Sequence, residues 1–176
     1  MSTSLSYPIG PFEPPKTITD RYLNDCIDRI HSTPARLRIA IAGLTSEQLD
    51  TPYRPGGWTL RQLVHHLPDS HINSYIRFHW TLTENNPLIK AYDEKSWASL
   101  PYHEQLPLEV SLNLLEAIHA RWVVLLKNLS PADLDRSFQH PEDGSTNTLR
   151  KTIASYAWHG DHHIAHITSL RERNGW

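Results

Sequence analysis

The sequence predicts an all-α protein built on a bundle of four long helices. Three observations point there. Apolar residues recur at three-, four- and seven-residue steps through four long stretches, alternating strand-like runs are poor, and most prolines and glycines fall in the segments between those stretches.

The first helix is predicted from about Thr19 to Gly43, with Tyr22, Cys26, Ile30, Leu37, Ile41 and Leu44 on one stripe and Pro34 marking a kink or break. The second begins at Thr59, because Thr59-Leu60-Arg61-Gln62 has the pattern of a capping box, and it continues through Leu63, Leu67 and Phe78. Pro68 inside it removes one N–H, leaves the Val64 carbonyl without its usual donor and can rotate the two halves of the helix against each other. The third is expected from about Leu108 to Leu129 through Leu112, Leu115, Trp122, Leu125 and Leu126. The fourth starts near Thr148 and runs through Leu149, Ile153, Tyr156, Ile164, Ile167 and Leu170 until Asn174-Gly175 stops it. Tyr7 to Pro15, Thr51 to Gly57, Asn85 to Pro107 and His140 to Asn147 read as surface connections. Residues 1–16 read as an extended N-terminal arm on a single domain spanning 1–176.

A short internal repeat suggests two related halves. Leu44-Thr-Ser-Glu-Gln-Leu-Asp50 resembles Leu129-Ser-Pro-Ala-Asp-Leu-Asp135, and each is followed by Thr-Leu-Arg, at Thr59-Leu60-Arg61 and Thr148-Leu149-Arg150. Each half would be a long helix, a short helical turn, a loop and a second long helix. The long link between the halves, 85–107, is expected to span the bundle as a crossover between the second and third helices.

Composition narrows the function. With 39% hydrophobic and 20% charged residues, the chain can bury a core without disulfides, and its one cysteine, Cys26, excludes an intrachain bridge. A formal charge of -2 leaves no basic surplus for nucleic acid. No apolar run reaches the roughly 20 residues that span a bilayer, and the N-terminus lacks the basic start and apolar stretch of a signal peptide, so a cytoplasmic protein away from membranes is expected.

The most informative segment is His159-Gly160-Asp161-His162-His163-Ile164-Ala165-His166 in the fourth helix. Imidazoles four residues apart on a helix can converge on one metal ion. At about 100° per residue, His163 lies about 40° and His159 about 80° from the centre of the apolar stripe, against about 100° for His166 and about 140° for His162. His159 and His163 are therefore the expected inward pair, and His162 and His166 take roles behind the ligands or at the surface. In the second helix His66 sits nearer the apolar face than His65, and His71 nearer still, so the wheel leaves that choice open. His31, His79, His103, His119 and His140 read as surface or satisfied core residues.

The sequence resembles the DinB/YfiT-like family, a group of provisionally assigned metal-dependent hydrolases that also contains the bacillithiol S-transferases. The resemblance is nearly full length and rests on Ser6-Tyr7-Pro8-Ile9-Gly10, Asp50-Thr51-Pro52-Tyr53-Arg54, Gly56-Gly57-Trp58-Thr59 and Val64-His65-His66-Leu67. It continues in Asp69-Ser70-His71, Ser74-Tyr75-Ile76-Arg77-Phe78, Tyr92-Asp93-Glu94 up to Trp97, and Trp158-His159 with His162-His163-Ile164-Ala165-His166. The resemblance implies an antiparallel four-helix bundle, a homodimer, and one divalent metal ion per chain held by three histidines. Carried onto this sequence they are His66, His159 and His163.

Three neutral histidines leave the ion's charge uncancelled and a coordination position open, as in reactive rather than structural centres. Zn or Ni is expected first, with Fe or Mn as alternatives. Such a centre can lower the pKa of a bound water towards about 7 for hydrolysis, or hold a thiol as thiolate for attack on an electrophile. The resemblance favours transfer of a low-molecular-weight thiol of the bacillithiol type to an electrophilic substrate. A metal-dependent hydrolase is the alternative, and a non-catalytic metal- or ligand-binding bundle the reading from another class. Arg77, Arg121, Tyr75, Asp69 and His162 are candidates for orienting a ligand or binding the acidic groups of the thiol.

Overall fold

The computed structural model describes residues 5–176; residues 1–4, the start of the expected arm, lie outside the described part. Among the described residues, seven α-helices form in chain order: α1 (Asp20–Ile41), α2 (Ser46–Leu49), α3 (Leu60–Thr83), α4 (Glu94–Ala98), α5 (Leu108–Lys127), α6 (Pro131–Leu134) and α7 (Leu149–Asn174). The four long ones, α1, α3, α5 and α7, are the helices that apolar spacing predicts. Thr19 caps α1, and Thr59 and Gln62 form the reciprocal capping box that starts α3. Gly175 closes α7 in the left-handed conformation, at φ 68°.

Neither internal proline ends its helix. α1 runs through Pro34 and α3 through Pro68, so of the kink or break expected at Pro34 the break does not occur. At Pro34 the physical reason is visible: the missing N–H frees the Ile30 carbonyl, and the His119 Nδ1–H donates to it at 2.6 Å.

Cross-helix contacts fix the directions. Arg150 reaches the Ile18 carbonyl, Asp161 pairs with Arg29 and Arg36, and Arg171 reaches the Ala40 carbonyl, so α7 runs parallel to α1. His65 meets Ser111, His71 meets His119 and Phe78 meets Trp122, so α5 runs parallel to α3. Arg38 with Glu109 and Asp28 with Lys127 make α1 and α5 antiparallel; His66 with His163 and Ser70 with Tyr156 do the same for α3 and α7. Parallel α3 and α5 require the link between them to return along the bundle, which makes it the expected crossover. Two short helical pieces, α4 and a 3-10 turn at Pro101–Glu104, interrupt what the sequence reads as irregular chain there.

The internal repeat is structural. α2 and α6 each open with a capping box, at Thr45 and Ser130. Arg61 pairs with Asp50 and Arg150 with Asp135, and the Leu60 and Leu149 N–H groups donate to the carbonyls of Thr51 and Arg136. The matching backbone bridge is a single pair, Pro52 with Thr59, in the first half and a small antiparallel hairpin, β1 (Ser137–Gln139) with β2 (Thr146–Thr148), in the second. Weak strand signals did not predict that hairpin, whose second strand overlaps a segment read as loop.

Two apolar clusters fill the bundle. One gathers Ile30, Phe78, Trp122 and Ile153; the other gathers Leu37, Leu63, Leu115 and Ile167. Between them, on each long helix in turn, lie Thr33, His71, His119 and His159, a polar layer across the middle of the bundle.

Candidate metal centre

The site is assembled by the way α7 docks. Gly160 packs against Thr33 so closely that a Cβ there would lie 2.9 Å from the Thr33 Oγ1. Asp161 takes a 2.5 Å hydrogen bond from Arg36 and pairs with Arg29 as well. Both residues thus face α1, which turns His159 and His163 toward α3. There the capped first turns of α3 present His66, whose ring lies 4.6 Å from that of Trp58.

The ligand atoms of His66, His159 and His163 lie within 4.8 Å of one another, and the Nε2 atoms of His159 and His163 are 3.1 Å apart. Burial holds His66 at about 4. Burial, reinforced by the neighbouring imidazoles, takes His159 and His163 well below the ordinary histidine value. All three are therefore neutral at pH 7 and keep a lone pair for a Lewis acid. The Nδ1 of His163 is buried without a hydrogen-bond partner. Three convergent neutral nitrogen donors suit a divalent ion of borderline softness.

A cavity of about 560 Å³ opens over the trio, walled by Tyr7, Trp58 and Trp158, with Arg54 and Lys95 at its side. His162 and His166 line it too. Neither is at the surface: they are 8% and 4% exposed, with Nε2 atoms 3.1 Å apart. Burial lowers both, His166 to about 3. The wheel left a surface role open because it sees only a helix's own apolar stripe. Here Tyr7 from the N-terminal arm and Tyr53 from the 51–58 loop cover the other side, at 5.8 Å from His162 and 4.1 Å from His166.

A second cavity, of about 800 Å³, also reaches His159 and is lined by Arg77, Tyr92, Lys151 and Tyr156. Arg77 is 9% exposed and its Nε has no partner. Of the five candidates, His162 and Arg77 thus line cavities that touch the trio. Arg121 is exposed, with its guanidinium 6.0 Å from the ring of Tyr75, and Arg121, Tyr75 and Asp69 line neither cavity. The sequence reading did not anticipate His71 and His119 beside the trio: His71 Nε2 lies 3.1 Å from His159 Nδ1, and His71 Nδ1 lies 2.8 Å from His119 Nε2. The sequence signals were the place of His71 nearer the apolar face than His66 and its presence in the Asp69-Ser70-His71 segment.

A four-helix bundle with three neutral imidazoles gathered from two facing helices defines a class, the helical bundle with a candidate three-histidine metal site. The chain belongs to the DinB superfamily, whose profile matches residues 29–167. It is 54% identical over 170 residues to a protein of Oceanobacillus iheyensis provisionally named a metal-dependent hydrolase, covering 97% of this chain and 98% of that one. A relative from Bacillus mycoides with the same provisional name is 55% identical over 172 residues, covering 98% of each chain. Among solved structures, YfiT from Bacillus subtilis superimposes with a TM-score of 0.95 at 47% identity over 98% of both chains. It is provisionally described as a metal-dependent hydrolase with an unusual four-helix bundle topology. A mycothiol-dependent maleylpyruvate isomerase shares the fold, with a TM-score of 0.62 at 18% identity over 84% of this chain and 63% of that one. No helix among the described residues is long and apolar enough to cross a membrane.

Proposed function

We propose that the protein is a metal-dependent enzyme in which His66, His159 and His163 hold one divalent ion, Zn or Ni, and that it transfers a low-molecular-weight thiol to an electrophilic small molecule. The observation that carries this reading is the donor set: three neutral nitrogen ligands, two buried and His159 partly so, without a carboxylate among them. Such a set leaves the dipositive charge uncancelled, so the bound ion would supply Lewis acidity at an open position and favour the anionic form of a nucleophile there. Around it, the rings of Tyr7, Trp58 and Trp158 offer apolar contact to an acceptor, while Arg54 and Lys95 can pair with acidic groups of the thiol. His162 and His166, neutral and facing the same cavity, can hydrogen-bond the thiol or its acceptor, while the proton that the thiol gives up leaves to solvent. The isomerase adds only that a bundle of this shape accommodates a thiol-dependent reaction.

Hydrolysis is the second reading, favoured by the provisional names of the close relatives. The two separate in one experiment. Metal-loaded protein is assayed with low-molecular-weight thiols plus a haloaromatic or epoxide acceptor, beside a panel of amides and esters. Thioether formation without hydrolysis supports the transferase; hydrolysis alone assigns the second reading, and turnover in neither panel leaves a binding protein.

A further inference from the structure

The polar layer between the two apolar clusters is a directed hydrogen-bond chain. Its direction follows from one end. A carbonyl oxygen can only accept, so His119 must carry its proton on Nδ1 to bond the Ile30 carbonyl at 2.6 Å. A neutral His119 then has a bare Nε2, and the contact at 2.8 Å requires the proton on His71 Nδ1. The same step repeats. His71 Nε2 is bare, and its 3.1 Å contact draws the proton of His159 onto Nδ1. What remains on His159 is an unprotonated Nε2, the atom 3.1 Å from His163 Nε2.

The chain starts at a proline. In an unbroken α-helix the Ile30 carbonyl would accept the N–H of residue 34, but residue 34 is Pro34 and has none. The free acceptor is buried between α1 and α5, and His119, 1% exposed, is its donor. His71 is wholly buried. Neither ring is open to bulk solvent.

We propose that Pro34, the Ile30 carbonyl, His119 and His71 form a tautomer-setting relay that holds His159 with its proton on Nδ1 and its Nε2 lone pair turned to the metal position. His71 and His119 are positioning residues: they touch neither the ion nor the cavity above it, and they act through His159. The chain also assigns a use to Pro34, which otherwise costs α1 a hydrogen bond. The proposal rests on the metal-centre reading for its purpose, though not for its geometry.

The test is arranged to keep those apart. Metal-free protein labelled with 15N at histidine is examined by long-range proton–nitrogen NMR at neutral pH, and His159, His71 and His119 are expected as Nδ1–H tautomers. An Nε2–H tautomer at His159 or His119 overturns the relay, whatever the protein does with metal. Zinc is then titrated into the wild type, His119→Phe and Pro34→Ala. His119→Phe keeps an aromatic ring in the core and removes both hydrogen bonds; zinc affinity is expected to fall about 10- to 100-fold, the usual effect of losing a group that orients a ligand. Pro34→Ala restores a competing N–H at the Ile30 carbonyl and suits a helix better, so it should fold; a smaller weakening in the same direction is expected. Unchanged zinc affinity in both variants overturns the proposal. Absence of zinc binding in the wild type overturns the metal-centre reading instead, and the tautomer spectrum still decides the relay.

Discussion

Gly160 is the point where helix propensity and tertiary packing disagree most sharply, and Gly160→Ala measures which one governs the docking of α7. In an isolated helix the substitution gains about 1 kcal/mol. Here the new Cβ would lie 2.9 Å from the Thr33 Oγ1 and 3.0 Å from its Cγ2. Ordinary contact needs about 3.5 Å or more, so one side must give by about half an ångström. Thr33 cannot: it is fully buried, its hydroxyl donates to the Arg29 carbonyl at 2.8 Å, and its branched side chain is stiff at χ1. The strain falls on the α1–α7 contact, where overpacking costs about 1–3 kcal/mol and exceeds the propensity gain. A net loss of about 1 kcal/mol should lower the Tm of the metal-free protein by about 2–4 °C for a chain of this size. The double variant Thr33→Ala/Gly160→Ala removes both clashing atoms, and its stability should exceed the sum of the single effects by about 1–2 kcal/mol. Thermal and urea unfolding of the four proteins read this out. A Tm raised by the full propensity gain in Gly160→Ala, or strict additivity in the double variant, would refute the packing origin of Gly160.

Other consequences follow from the same geometry. Thr59→Ala removes the side-chain acceptor for the Gln62 N–H at 3.1 Å and should cost about 1 kcal/mol, seen as a lower urea midpoint. Asp161→Asn removes the carboxylate shared by Arg29 and Arg36 in a half-exposed setting; about 1–2 kcal/mol is expected, shrinking in high salt. The metal-free protein should also be acid-sensitive. His66 and His119 are held at about 4 in the folded state against 6.5 when free, so the unfolded chain binds more protons between those values. Stability is then complete above pH 6.5 and lost as pH falls toward 4, each ring adding a slope of about 1.4 kcal/mol per pH unit. A urea midpoint that stayed flat from pH 7 to 5 would contradict the buried neutral rings.

The four long helices were legible because their signals are local. Thr59-Leu60-Arg61-Gln62 and Asn174-Gly175 announce their own boundaries, and the stripes from Leu149 to Leu170 and from Leu108 to Leu126 keep one period. The repeat was legible as well, and proved to carry matching ion pairs at Arg61 with Asp50 and Arg150 with Asp135. Within the trio, the wheel on α7 selected His159 and His163 because that helix has one apolar stripe. It could not choose between His66 and His71 because both are interior: His66 meets the facing histidines, while His71 lies behind His159. That difference is tertiary, and so is the burial of His162 and His166, which depends on Tyr7 and Tyr53 arriving from distant segments. Of the kink or break expected at Pro34 the break does not occur, because the carbonyl it frees is taken up by His119, a residue on another helix.

The central claim, a single ion held by His66, His159 and His163, is tested most directly by elemental analysis of purified wild type beside His66→Ala, His159→Ala, His163→Ala and His162→Ala. One divalent ion per chain is predicted in the wild type and in His162→Ala, with most of the metal lost from each of the other three. Equal loss in all four variants, or full occupancy in any of the three trio variants, would contradict it.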